Sequence, residues 1–530
     1  MKKNPEALTK AKTLFYEKGA ELGTSTKLLD YIWNVQISMS LGYSFSVIHS
    51  LAYSFIAIQE LNLAYRYPDI FWHCGCLVSE SKAFEYSDIE EADNSINYAK
   101  IANAIYKMKK LGINVSLPDL YKSSYGFVPN LETNTIQYSL KAIQGLGDDA
   151  TRELIQDRNN FEFTSFAEFY QFYKNKPETF IKKNKIIRLI KSGALDCLHK
   201  SRIYMMKMLA VYETQKKTTL TTNNLSKCIE LGVSIPEEII RPYRFKQYVL
   251  SKQFYYCPDP KHKSKKHYIV EQTYALPYLT ERYLPFMQEN KDYYYNGDDL
   301  IIIDKSLEKV MKNDIDVLKQ HIKKPEVVQA FNKAQYQATY NVLIKGVENL
   351  ADWEMDTVSY YNEPHPLLSI NDDYNLSMFS TIPEQPKYVE ESYRRKKDGE
   401  IVTYRKYVLH RIAGTIIELQ HNKHYIKILT PDGEVVTVKF QQGQYAYYKN
   451  DIIDYVNDSK IVREKGWLKK GNKIMVTGYR REDIFIAKKY KNSILKHSVM
   501  LIDKINYDGS VDLRIDRWKE GEEEQWEVLN

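Results

Sequence analysis

The stretch Thr135-Ile136-Gln137-Tyr138-Ser139-Leu140-Lys141-Ala142-Ile143-Gln144-Gly145-Leu146-Gly147-Asp148 decides how the chain is organised. Thr135–Leu140 reads as a short strand, rich in β-branched and aromatic residues. It runs into the apolar Ala142-Ile143 and a Gly-x-Gly turn, and Asp148 then caps a helix reaching about Arg158. Glycines at 145 and 147 can take backbone angles closed to other residues and leave their N–H groups unobstructed. The following helix N-terminus adds partial positive charge suited to a phosphate. This is how a helix–hairpin–helix holds a nucleic-acid backbone without reading bases. The same residues also fit a plain tight turn before a helix.

Working outward toward the N-terminus, the period predicts helices over 5–36, about Ser50 to Tyr67 (stopped by Pro68) and 95–111 (ended by Gly112). A turn is expected at 42–45, and Ile113–Asp119 looks extended. On the other side a helix over Lys185–Ser192 ends in Gly193-Ala194-Leu195-Asp196. From about 200 to 350 the text is rich in Tyr and Lys, with a helix over 325–349, a strand at Leu300–Ile303 and no nameable motif. Residues 371–400 read as a polar linker ending in Arg394-Arg395-Lys396-Lys397.

Beyond 403 the period becomes two. Val408–Leu419, Tyr425–Leu429, Val435–Phe440, Lys473–Thr477 and Asp483–Lys489 are expected strands, a pattern for a small barrel or sandwich. Lys423, Lys427 and Lys439 alternate with Tyr425, Phe440, Tyr445, Tyr447 and Tyr448, the interleaving of an OB-type barrel that stacks bases in a basic groove. The acidic tail, 517–530, is expected to be exposed. The fold class is multidomain α+β, with boundaries at 1–125, 126–200, 201–350, 351–402, 403–495 and 496–530.

Composition bounds the function classes. A chain of 530 residues allows several domains. Lys+Arg 75 against Asp+Glu 68 gives +7, compatible with nucleic acid without demanding it. Five scattered cysteines make a disulfide framework unlikely to be the organising principle and point to a reducing compartment. Tyr31–Gln59 carries no charge and could span a bilayer by length, but Asn34, Gln36, His49 and several serines are costly in hydrocarbon. No secretory signal is visible, and a cytoplasmic location in a bacterial or phage-infected cell is expected.

No complete catalytic centre is legible. Cys257, His262 and His267 with Cys74 and Cys76 match no zinc spacing. Asp314-Ile315-Asp316, Asp298-Asp299 and Asp372-Asp373 read as solvated charge rather than a two-metal site. Neither a phosphate-binding Gly-rich loop of the Walker type nor a Gly-x-Ser-x-Gly elbow is present. His49 alone reads as structural.

Together these segments resemble the family C replicative DNA polymerases, the α subunits of DNA polymerase III. Lys2-Lys3-Asn4-Pro5-Glu6 is similar to a Lys/Pro/Glu segment of the family's fingers. Gly42-Tyr43-Ser44-Phe45-Ser46-Val47-Ile48-His49-Ser50-Leu51-Ala52-Tyr53 resembles its Gly-Tyr-Gly-Phe-Asn-Lys-Ser-His-Ser-x-Ala-Tyr motif. Leu63, Tyr67-Pro68 and Phe71 continue that match, and Leu111-Gly112-Ile113, Pro118-Asp119 and Lys122-Ser123 fit the next segment. Ile136–Gly147 is similar to the family's strand and hairpin, closed by Ile190–Asp196. Tyr361 with His365-Pro366-Leu367 resembles a segment preceding the family's OB domain. The likeness is dense over 1–200, thin over 350–370 and one of pattern over 405–490.

The resemblance implies the C-terminal part of a split DNA-directed DNA polymerase, inactive alone. His49 and Ser50 would contact the incoming nucleotide, although the family's lysine is Val47 here and its preceding serine is Ile48. Gly145 and Gly147 would hold duplex DNA, and Lys423, Tyr425, Lys427, Lys439 and Phe440 single-stranded template. The PHP domain and the palm, with its aspartates and their Mg²⁺, would come from a partner chain. A sliding clamp would bind Asn375-Leu376-Ser377-Met378-Phe379. The alternative is a non-catalytic DNA-binding accessory of replication or repair.

Overall fold

The computed structural model describes residues 5–37, 47–83, 96–256, 265–270, 275–303, 305–394, 401–440, 442–456, 459–488, 498–515 and 517. It divides into two compact units, Met1–Cys76 and Leu77–Asn530.

In the first unit, α1 (Pro5–Glu21) and α2 (Thr26–Tyr31) are joined through Gly23, whose φ of +74° turns the chain. Ser25 caps α2 by accepting the Leu28 N–H, and a π-helical turn, Ile32–Ile37, follows. Leu29 and Trp33 are buried, with Phe15 against Trp33 at 5.3 Å between centroids. Then α3, Val47–Arg66, ends before Pro68 because helical backbone is disfavoured next to a proline. Every residue from Ile48 to Asp69 is exposed, with Ile48 at 81%, Leu61 at 71% and Tyr65 at 91%. No helix among the described residues is long and apolar enough to cross a membrane.

The helix α4 (Asp69–Ser81) runs across the division. In the second unit α5 (Tyr98–Lys110) buries Ala99, Ile101, Ala102, Ile105 and Met108 on one stripe. The strands β1 (Asn114–Ser116), β2 (Val128–Asn130) and β3 (Thr135–Gln137) form a small sheet in the order β1-β3-β2. It feeds the helices α6 (Asp148–Asn160), α7 (Phe166–Asn175), α8 (Lys183–Ser192) and α9 (Arg202–Glu213). Their core includes Leu146, Leu154, Phe169, Leu189, Leu195, Met206 and Leu209.

The 201–350 segment leaves and re-enters this core. After α9 come α10 (Leu225–Glu230) and α11 (Glu237–Ser251). The strands β4 (Gln253–Tyr256), β5 (Lys265–Val270), β6 (Tyr293–Asn296) and β7 (Asp299–Ile303) form a sheet ordered β4-β5-β7-β6. Around it lie α12 (Ala275–Arg282), α13 (Ser306–Val310) and α14 (Lys312–Ile322). The returning α15 (Pro325–Ile344) packs against α9, and Tyr340, Leu343 and Ile344 join the hairpin core with Trp353 of α16 (Leu350–Thr357). Asp314 accepts from Arg282 and Tyr283 here, so it is partnered rather than merely solvated.

A buried ionic knot closes the hairpin module. The Arg202 guanidinium donates to Asp196 at 2.7 Å and to Glu354 at 2.9 Å, while Glu354, fully buried, accepts the N–H groups of Asn362 and Glu363.

The segment expected to be a polar linker instead clasps the barrel. Ser377 N–H donates to the Arg411 carbonyl at 2.7 Å, and Phe379 and Ile382 enter the barrel core. A hairpin follows, β8 (Tyr388–Arg394) with β9 (Ile401–Tyr407); Arg395-Lys396-Lys397 lie outside the described residues. The barrel strands are β10 (His410–Gln420), β11 (Tyr425–Leu429) and β12 (Val435–Lys439). After α17 (Gln442–Lys449) and a hairpin of β13 (Ile452–Val456) and β14 (Ser459–Glu464) come β15 (Lys473–Arg481) and β16 (Ile484–Ala487). The order β10-β11-β12-β16-β15 closes by β10 pairing with β15, and β12 runs parallel to β16. This is OB-type topology. Residues expected to be tail add β17 (Val499–Ile505) and β18 (Val511–Arg514), and Arg517 is buried.

Two expectations follow. Glu354→Ala strands the Arg202 charge and should cost about 3–5 kcal/mol, with partial recovery in Arg202→Met/Glu354→Leu, read by urea denaturation. His365 is the second. Its Nε2 donates to the Leu429 carbonyl at 3.1 Å, its Nδ1 accepts from Leu367 N–H at 3.1 Å, and burial pushes its pKa down to about 4. The unfolded chain takes that proton near ~6.5, so it binds more protons between the two values. Stability should therefore fall as pH drops through that window, by about 3 kcal/mol at most. The urea midpoint of His365→Asn should lose less between pH 7.5 and 4.5 than that of the parent chain.

Candidate nucleic-acid interface

The hairpin is built by backbone geometry that only glycine adopts freely. Gly145 and Gly147 have φ of +83° and +84°. Gly147 begins α6 without a side-chain cap. Asp148, expected to cap, is instead the first helical residue. Its carboxylate takes the Tyr125 hydroxyl, the Lys141 ammonium at 3.3 Å and Arg152 at 3.1 Å. With the carboxylate engaged by these three groups, no side chain caps the start of α6, the kind of helix end that favours an anion.

Cations from α8 flank this turn. Lys185 Nζ donates to the Gly145 carbonyl at 2.5 Å, and a Cβ on Gly145 would stand 3.3 Å from Arg188 Nε. Arg188 is held by Asp356 at 2.8 Å. Gln144 ties the turn to its surroundings: its N–H donates to the Thr357 carbonyl at 2.8 Å, and its side-chain oxygen accepts from Lys470 at 2.7 Å. Burial lowers the Lys470 pKa to about 8, with Asp356 raising it and Arg188 lowering it further. Lys185, Arg188 and Lys470 were not singled out from the sequence; spacing of three along 185, 188 and 191 was the signal for the α8 face.

The second hairpin, Gly193–Asp196, differs in kind. Ala194 and Leu195 are fully buried, the Leu120 N–H donates to the Ala194 carbonyl at 2.7 Å, and a Cβ on Gly193 would collide with Arg202. It closes the module rather than presenting a surface.

On the barrel, Tyr425 and Lys439 are direct cross-strand partners, with Lys427 opposite Thr437 two pairs along. Their neighbours Ile426, Ile428, Val436 and Val438 fill the core, so Tyr425, Lys427 and Lys439 share the outer face. Lys427 is paired with Glu418 at 2.8 Å, which reduces its offer to a phosphate. Lys423 is exposed in the turn joining β10 to β11. Phe440, expected to stack on a base, is 4% exposed within the barrel core, as are Tyr445 and Tyr448 close by. The alternation that points Val436 and Val438 inward and Lys439 outward carries on to Phe440, whose ring faces the core. Asn375–Phe379 is the segment expected to bind a clamp. Phe379 is inside the barrel and Leu376 packs on its outer cluster, so the apolar groups such a peptide needs are occupied.

His49 and Ser50 lie exposed in the first turn of α3, with the His49 ring 4.5 Å from Tyr53 between centroids. Gly42–Ser46 fall outside the described residues. The Mg²⁺ of family chemistry needs converging carboxylates, and among the described residues no group of three His, Cys, Asp or Glu side chains could hold a metal ion.

Residues 112–205 match the helix–hairpin–helix motif. The chain is 35% identical over 528 residues to "Probable DNA polymerase YorL" of Bacillus subtilis (strain 168), covering 97% of this chain and 38% of that relative. The same identity and shares hold for "DNA-directed DNA polymerase" of Bacillus phage SPbeta. It is 27% identical over 224 residues to "DNA polymerase III subunit alpha" of Aquifex aeolicus (strain VF5), 42% of this chain and 17% of that one. The chain thus spans well under half the length of these relatives.

Inward and outward barrel residues should separate on substitution. Phe440→Ala should cost about 3–5 kcal/mol of stability, whereas Tyr425→Ala and Lys439→Ala should each stay within about 0.5 kcal/mol, measured by chemical denaturation.

Proposed function

From its kinship with the family C replicative DNA polymerases, we propose that this chain supplies the fingers, helix–hairpin–helix and OB portion of a DNA-directed DNA polymerase whose palm is carried by another polypeptide. The hairpin carries this reading: two positive-φ glycines and an uncapped helix start, flanked by Lys185 and Arg188, form a seat for duplex phosphates. The outer face of the barrel holds single-stranded template, with Tyr425 offering a ring and Lys439 and Lys423 offering charge. In the fingers, His49 and Ser50 stand at the start of α3, where N–H groups and a hydroxyl can meet the phosphates of an incoming nucleotide.

The exposure of α3 fits a chain that packs against further polymerase parts. A helix with apolar residues exposed all round has no core of its own to serve, and the rest of a polymerase is a fitting cover. The palm's aspartates and their Mg²⁺ would supply nucleotidyl transfer; this chain would bind and position nucleotide and DNA inside the cell, and would be inactive alone.

Co-purification of the tagged chain followed by primer extension tests the proposal. Extension only by a complex containing a palm-bearing polypeptide supports it. Extension by the isolated chain would sink the split arrangement, and DNA binding without any such partner would favour the accessory reading. Gly145→Val/Gly147→Val should weaken duplex binding about ten-fold or more without unfolding the chain, since each glycine holds an angle costly to other residues. Unchanged duplex affinity, measured by fluorescence anisotropy, would remove the hairpin from the interface.

A further inference from the structure

Beside the hairpin, α8 forms one wall of a cleft of about 740 Å³ whose opposite wall is made by α10 and α15 of the 201–350 segment. Six cationic side chains line it against two carboxylates, Glu230 and Asp356, and Asp356 is already engaged by Arg188 at 2.8 Å. Lys227 of α10 and Lys345, just beyond α15, are exposed. Among the described residues neither has a carboxylate at ion-pair distance. Lys345 sits at a left-handed φ of +54°, and it lines a second cleft of about 550 Å³ that continues past Lys191 and Lys470 to the barrel strands β15 and β17. Lys191, Lys345 and Asp356 are common to both clefts. Burial lowers the Lys191 pKa, and the charges of Lys345 and Arg188 lower it further despite Asp356. Lys183 is paired with Glu213 at 3.2 Å, and Arg188 and Lys191 share Asp356, which leaves Lys185, Lys227 and Lys345 as the cations of this cleft without a carboxylate at ion-pair distance among the described residues.

An anion is the missing component, and its shape follows from the cleft. Each space is of the size that takes a small molecule, ~300–1,000 Å³, enough for a few nucleotides of one strand and too small for a duplex. Ile187, Leu231 and Val342 add apolar surface to the lining, Val342 being 76% exposed. Cationic and apolar side chains in one lining match a strand that offers both phosphates and sugar and base faces.

We infer that the 201–350 segment is a nucleic-acid-binding element: α10 and α15 wall, against α8, a track that takes the sugar–phosphate backbone of a single strand and leads it from the hairpin to the barrel. The inference rests on the DNA-binding reading above and assigns a ligand to a segment that this reading leaves without one.

The test uses the full-length chain, a labelled 20-residue oligothymidylate and a 20-base-pair duplex, with anisotropy measured from 0.05 to 0.3 M salt. Lys227→Glu/Lys345→Glu should weaken oligothymidylate binding ten-fold or more and make its log–log salt slope shallower by about 1.4, from ~0.7 per lost phosphate contact. Duplex binding should change less than two-fold. Both side chains are exposed, and Lys227→Gln/Lys345→Gln, with a smaller loss in the same direction, separates charge from folding. Unchanged oligothymidylate affinity, or equal losses for both probes, overturns the track. The two readings fail separately. If the parent chain binds neither probe, the polymerase reading falls as well. If Gly145→Val/Gly147→Val still abolishes duplex binding while Lys227→Glu/Lys345→Glu changes nothing, only the track is lost.

Discussion

One guanidinium organises the second unit. Arg202 is nearly buried and answers two carboxylates, Asp196 at the second hairpin and Glu354 on α16. A charge in that environment has no solvent to fall back on, so its partners must be in place together. Glu354 spends its other oxygen on two backbone N–H groups in the turn after α16. Hairpin, returning helix and the approach to the barrel are thereby fixed as one arrangement. The next links are polar as well: Tyr361 to Thr415 at 2.9 Å and His365 to Leu429 at 3.1 Å pin that turn onto the barrel.

That rigidity matters for the first hairpin, which itself is held lightly. Gly145 and Gly147 contribute no side chains, and their turn is located by Gln144, Lys185 and Arg188. Its frame is anchored at both ends, to α16 through Thr357 and to the barrel side through Lys470. A phosphate-binding turn needs open N–H groups and a fixed position at once. Glycines give the first and the surrounding network the second.

Elements with strong local signals were legible. Tyr425–Leu429 is a strand with the expected limits, and the helix start after Gly147 and stop at Gly193 follow from glycine chemistry. The residues misjudged were those whose fate is decided by distant contacts. Phe440 is the exception, since period two already sets it on the face of Val436 and Val438, opposite Lys439, and its ring joins the core. Asn375–Phe379 looks like a free peptide until Phe379 finds a gap between barrel strands. Lys427 looks like a phosphate ligand until Glu418, nine positions earlier, arrives across the register. The basic face of α8 was readable by its spacing; the wall facing it belongs to α10 and α15, the second of them more than a hundred residues later in the chain.

The clasp of residues 376–382 has a consequence for where this barrel begins. Five strands close the hydrogen-bonding circuit, yet Phe379 and Ile382 complete the packing within it. The Arg480 guanidinium covers the Phe379 ring at 4.4 Å and donates to the Ile382 carbonyl at 3.1 Å, so the plug is sealed from outside. A barrel cut at its first strand would lose two members of the core cluster that includes Ile412, Val476 and Phe485. The packing of the barrel thus begins before its first strand, at Phe379 and Ile382, and the stretch that reads as a tether is the barrel's own stopper.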